Sequence, residues 1–218
     1  MHISTDQLFY FFEVVIFIAV ILMNLMKKNG DLVKLYVVQS WAVVALLAID
    51  SWVRGSLEMG VVAFVVLVVK GFFAPYFFTR FVRKNNLNVQ TSTYLSVPMT
   101  MVALLLIISF AHSDVFQPIT TLINSSSPLA TMLISSIFMS VFMLINRKGS
   151  LSQIIGILSV ENAIVAIGFF FGLIQTIAIE MGILFDIIVW IVLAMVFLQL
   201  LYEQLGASDV SRLNQLRK

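Results

Sequence analysis

Cysteine is absent from the 218 residues. That excludes a disulfide framework, thiolate metal sites and iron–sulfur ligation. Histidine occurs twice, at His2 and His112, and two such residues do not make a metal centre on their own. Charge is scarce as well. Asp, Glu, Lys and Arg make up 11% of the chain, against about 25% in ordinary soluble domains. Also missing are a Gly-rich phosphate loop, an H-E-x-x-H helix, a Ser/His/Asp set and a basic stripe suited to nucleic acid. No catalytic site, no cofactor and no nucleic-acid partner is therefore expected.

What is present is apolar surface. Hydrophobic residues make up 61% of the chain, and the mean hydropathy is +1.04. A chain of this kind belongs in a lipid bilayer, and the expected class is an all-α, multi-pass membrane protein. The opening "MHISTDQLFYFFEVVIF" has no basic n-region and no small-residue cleavage site, so the first apolar run is expected to be a retained helix.

A spanning helix needs about 20 mostly apolar residues. Seven runs qualify, near 7–26, 33–53, 59–80, 94–111, 129–145, 151–173 and 177–202. Polar breaks such as "KKNGD", "VRGSLE" and "NRKGS" separate them. With seven spans, eleven of the thirteen Lys and Arg residues fall on one side; Arg54 and Lys70 are the other two. The positive-inside rule then puts the N terminus outside and the C terminus in the cytoplasm. The organisation expected is a four-helix region over 1–128, a three-helix module over 129–202 and a cytoplasmic tail over 203–218. In the tail, Val210, Leu213 and Leu216 recur at helical spacing.

Against this background, four ionisable residues inside or near the spans demand a reason: Lys70, Glu161, Asp186 and Glu180. A charge at a helix centre costs about 2.5–3.5 kcal/mol on insertion scales, and such residues commonly mark proton or ion paths. At about 1.5 Å per residue, Glu161 and Lys70 both lie mid-membrane. Asp186 lies nearer the outer surface, with Glu180 at the outer end. Gly168 and Gly172 fall within about 20° of Glu161 on a helical wheel, which puts the carboxylate on a packed face. Pro75 follows Lys70 in "VVKGFFAPYFF". It has no N–H, so a kink and a free Gly71 carbonyl are expected there. Glu13 is expected to reach the outer interface, and Asp50, Arg54 and Glu58 to form a charged rim. Three readings of Lys70 and Glu161 stay open: members of a proton relay, a static buried salt bridge that fixes helix register, or a Glu161 that is permanently protonated.

The stretch "NRKGSLSQIIGILSVENAIVAIGFFFG", followed by "IEMGILFDIIVWIVLAMVFLQLLYEQLGASDVSRLNQL", resembles the hydrogenase-4 component E family. These are membrane subunits of group 4 energy-converting hydrogenases and formate hydrogenlyases. "LVVKGFFAP" looks like that family's intramembrane lysine-plus-proline segment. The part over 129–202 is also similar to the K subunit of bacterial complex I and the C subunit of multisubunit Na⁺/H⁺ antiporters. The resemblance implies a proton-transfer role for Glu161 and Asp186; the mechanism expected with it makes Lys70 a charge partner and Glu180 an outer mouth, against the alternative of Glu180 as an interfacial, solvated carboxylate. It implies antiporter-like and other membrane subunits as partners, hydrogenase or dehydrogenase subunits as indirect ones, and residence in the cell membrane. Asp186 stands where the complex I subunit carries a longer Glu. The alternatives are a structural subunit without a proton role, a cation/proton antiporter subunit, and a stand-alone solute carrier.

Overall fold

The computed structural model describes residues 5–84, 92–120, 127–170 and Val192. Asp186, Glu180, the tail and, apart from Val192, the span expected over 177–202 lie outside the described residues. Within them the protein is helical, with Thr93 and Arg147 joined by an isolated antiparallel β-bridge. Among the described residues, five helical runs are long and apolar enough to cross a membrane.

Helix α1 (Thr5–Leu25) and helix α2 (Asn29–Arg54) form the first hairpin. Helix α2 stops because Gly55 adopts φ +63°, a left-handed conformation that glycine enters without steric cost, and its N–H donates to the Ser51 carbonyl. Ser56 then caps the next helix, its hydroxyl accepting the Met59 N–H. That helix runs as α3 (Leu57–Val66), a π-helical turn over Leu67–Phe73 and α4 (Ala74–Lys84).

The π turn is the physical answer to Pro75. A proline ring in a regular α-helix clashes with the carbonyl four residues back, here Gly71. Widening the turn lets the Ala74 N–H donate to Val69, five residues back, and the run continues without a break. The chain pattern predicts a kink and a free Gly71 carbonyl at this point. The carbonyl is met by the Trp41 indole N–H at 3.5 Å.

Helix α5 (Val97–Ala111) has 15 residues, about 22 Å of rise, which is short of a bilayer core of about 30 Å. Among the described spans, the fourth is the one that falls short of the length criterion. A 3₁₀ turn (Asp114–Phe116) and the short α6 (Gln117–Thr120) follow. The last described hairpin is α7 (Ser127–Asn146) and α8 (Ser150–Phe170). It closes tightly because Gly156 has no side chain: a Cβ there would stand 2.7 Å from Leu144 Cδ2. The wheel pattern expects a neighbouring backbone to approach closely at Gly168 and Gly172. Gly168 is half-buried, and Gly172 lies outside the described residues.

Helix α1 packs on α2 and α7, and α2 also packs on α8 and the π-containing run. One apolar core runs through these helices, with Ile16, Met23, Tyr36, Leu46, Phe78, Leu133 and Met139 all buried. Of the buried polar groups on α2, Gln39 and Ser40 meet α8.

Candidate functional site

Lys70 emerges from the π turn with 1% of its side chain exposed. The inserted residue of a π turn re-aims the side chains around it, and such turns are common at functional sites. The ammonium stands 3.0 Å from Glu161 Oε1 and 3.0 Å from Asn162 Oδ1, neighbours on α8. The bond to Asn162 is well directed. The contact with Glu161 is a close ion pair without hydrogen-bond alignment, since Oε1 has no hydrogen-bond partner.

Asn162 is the hub. An amide both accepts and donates, and this one uses both functions. Its oxygen takes the lysine proton, while Nδ2 donates to Ser40 Oγ at 3.0 Å and to Gln39 Oε1 at 3.4 Å. Gln39 Nε2 in turn donates to the Ser159 carbonyl at 3.3 Å, and the Ser159 hydroxyl meets Ser140 Oγ at 2.8 Å. The cluster thus ties α2, the π turn, α7 and α8 together inside the apolar core. Tyr36, one turn before Ser40, is fully buried and lies within electrostatic reach of Glu161.

Exposure is uneven along this chain of groups. The Glu161 side chain is 21% exposed, while Lys70, Asn162, Gln39 and Ser40 are buried. The carboxylate is the open end and the ammonium the closed one. An acid and a base 3.0 Å apart have two arrangements of one proton: an ion pair, or a neutral amine beside a neutral acid. Movement between them needs no change of backbone.

The sequence-predicted pair Lys70–Glu161 is brought together. The partners Gln39, Ser40, Ser140 and Ser159 were not anticipated. A signal for two of them stands in "VVQSWAVV", a polar pair in mid-span much like the Glu161–Asn162 pair. Two expectations about other acids are corrected. Glu13 is fully buried, not at the interface, and neither carboxylate oxygen has a hydrogen-bond partner among the described residues. Asp50 is 4% exposed, not a solvated rim residue, with Arg54 Nε 2.6 Å from its Oδ1. Both residues occupy inward-facing helical positions, and residue type alone does not reveal that.

At the far end of the bundle Arg147 does a different job. It is 1% exposed, and its Nη2 donates to the carbonyls of Met23, Asn24 and Met26, where α1 ends. A cation there satisfies unpaired carbonyls and opposes the helix dipole. Burial pulls the guanidinium down to about 10, so it remains charged at neutral pH. Beside it, Asn146 Oδ1 accepts the Leu95 N–H, and Lys148 Nζ lies 4.8 Å from the centre of the Tyr94 ring. The run of basic residues used to orient the chain thus contains one that is internal structure.

No family model, no curated protein and no solved structure matches the chain.

Proposed function

We propose that the chain is a membrane-arm subunit of a complex I-like, hydrogenase-type oxidoreductase, and that it moves protons coupled to redox chemistry in partner subunits. The observation that carries this reading is the Lys70–Glu161 contact, 3.0 Å long, set in a buried polar cluster between apolar helices. The family resemblance of the Glu161–Asn162 and Lys70–Pro75 segments supports it. In this reading the chain crosses the cell membrane seven times, with the N terminus outside and the C terminus cytoplasmic. Glu161 is the central proton carrier, and Lys70 biases it by approaching or withdrawing its charge. Asp186 continues the path outward, and Glu180 forms the outer mouth. The chain holds no redox centre and works within a complex that also contains antiporter-like subunits.

The deciding experiment measures proton-coupled turnover of the assembled complex in sealed vesicles, wild type against Glu161→Gln, with assembly checked by co-purification. Loss of coupling in an intact complex is expected. Unchanged coupling would refute the carrier role. It would favour a second reading, a purely structural subunit, for which there is a specific observation: Asn162 already gives Lys70 a directed partner, so the cluster is equipped to act as a register lock.

A further inference from the structure

Glu13 has no part in the mechanism above, yet it is a fully buried acid in the middle of an apolar helix. We infer that Glu13 is a second proton-binding site of the membrane interior, held as a neutral carboxylic acid. Its place in a translocation route rests on the proposed function; its protonation does not.

Position comes first. The rings of Phe9 on α1 and Phe169 on α8 are 5.4 Å apart, so those two helix ends lie at one level. Glu13 follows Phe9 by one turn, about 6 Å, and Glu161 precedes Phe169 by two turns, about 12 Å. Glu13 is therefore about one turn nearer that end of the bundle than Glu161.

Surroundings come second. Glu13, Val20 and Asn24 share one stripe of α1, within about 20° on a helical wheel. Asn24 Nδ2 donates to the Met139 carbonyl, so the stripe faces α7. Neither α7 nor α5 contains a titratable residue within its span; His112, which caps α5, meets Thr131 Oγ1 of α7 through Nε2 at 3.2 Å. Helix α2 contributes buried Tyr36 and Asp50, with Asp31, Lys34 and Arg54 toward its ends, and α8 contributes Glu161. The cations of these packed elements are engaged elsewhere: Lys34 with Asp31, and Arg54 with Asp50. Lys70 sits against Glu161, and Arg147 sits at the opposite end of α1.

An ionised carboxylate needs donors or a counter-charge when buried. Neither Glu13 oxygen has a hydrogen-bond partner among the described residues, and the cations of the packed helices are held by other groups. The uncharged acid is the form that such a site tolerates.

The test uses membranes containing the assembled protein. Infrared difference spectra are recorded between wild type and Glu13→Gln at neutral pH, in H₂O and in D₂O. A carboxylic-acid carbonyl band that shifts in D₂O and is missing from the variant is expected. Glu13→Asp, which keeps the acid, should move the band without removing it, and so guards against a folding defect in the first variant. Absence of the band overturns the inference. Proton movement in sealed vesicles separates the two proposals. Loss of coupling in both Glu13→Gln and Glu161→Gln places Glu13 on the route. Loss in Glu161→Gln alone removes Glu13 from the route and leaves the proposed function standing. Coupling unchanged in Glu161→Gln sinks the proposed function, whatever the band shows.

Discussion

Removing either member of the Lys70–Glu161 pair should cost more than removing both, because each partner left alone is an uncompensated charge inside the bundle. Glu161→Leu leaves an ammonium with 1% exposure and only the Asn162 oxygen for company. Lys70→Leu leaves a mid-span carboxylate without its cation. Breaking a buried pair in this way costs about 3–5 kcal/mol. The double variant carries no buried charge from this pair and loses chiefly the donor to the Asn162 oxygen, about 1–3 kcal/mol. The coupling energy is then about −5 to −7 kcal/mol, far from the near-zero value of independent sites. Reversible unfolding of the four proteins in mixed micelles, titrated with a denaturing detergent, reads these differences. Additivity within about 0.5 kcal/mol would show that the ion pair is not what holds these helices in register.

Other consequences concern the frame around the pair. Arg147→Gln should destabilise the chain by about 2–4 kcal/mol, from an end charge worth up to about 2 and carbonyls left unsatisfied; a change under about 0.5 kcal/mol in the same unfolding assay would discount the cap. Gly156→Val should force α7 and α8 apart and cost about 1–3 kcal/mol by overpacking. Leu144→Ala, which clears the side-chain atom that a Cβ at position 156 would meet at 2.7 Å, should recover part of the loss. Ser140→Ala and Ser159→Ala each remove the same 2.8 Å bond. Each should cost about 1 kcal/mol, and the double variant little more than either; clear additivity would mean the two hydroxyls act separately.

Much of this architecture was legible along the chain, because a membrane imposes its demands residue by residue. Hydrocarbon offers no partner for backbone N–H and C=O groups, so apolar runs of sufficient length become helices. The breaks at Lys28–Asn29, Gly55–Ser56 and Arg147–Gly149 appear where charge, glycine and serine stand in the sequence. Lys70 and Glu161 stood out for the same reason: a charge in an apolar run is visible without knowing its neighbours. Glu13 and Asp50 were equally visible, but whether they reach an interface depends on which face of a helix is covered, and that is a property of the neighbouring helix.

The sequence alone determined the helical, apolar class of the chain and singled out Lys70 and Glu161; of its seven expected spans, five stand as long apolar helices among the described residues, since length and hydropathy are local quantities. Only the tertiary structure decided that Asn162 joins Lys70 to Gln39 and Ser40, that Gly156 brings α7 and α8 together, and that Arg147 closes the end of α1. Those pairings join residues 92, 123, 122, 12 and more than 120 positions apart. Except for the α7–α8 hairpin, they come from helix packing, where shape and the satisfaction of buried polar groups choose among partners that a one-dimensional pattern leaves equivalent.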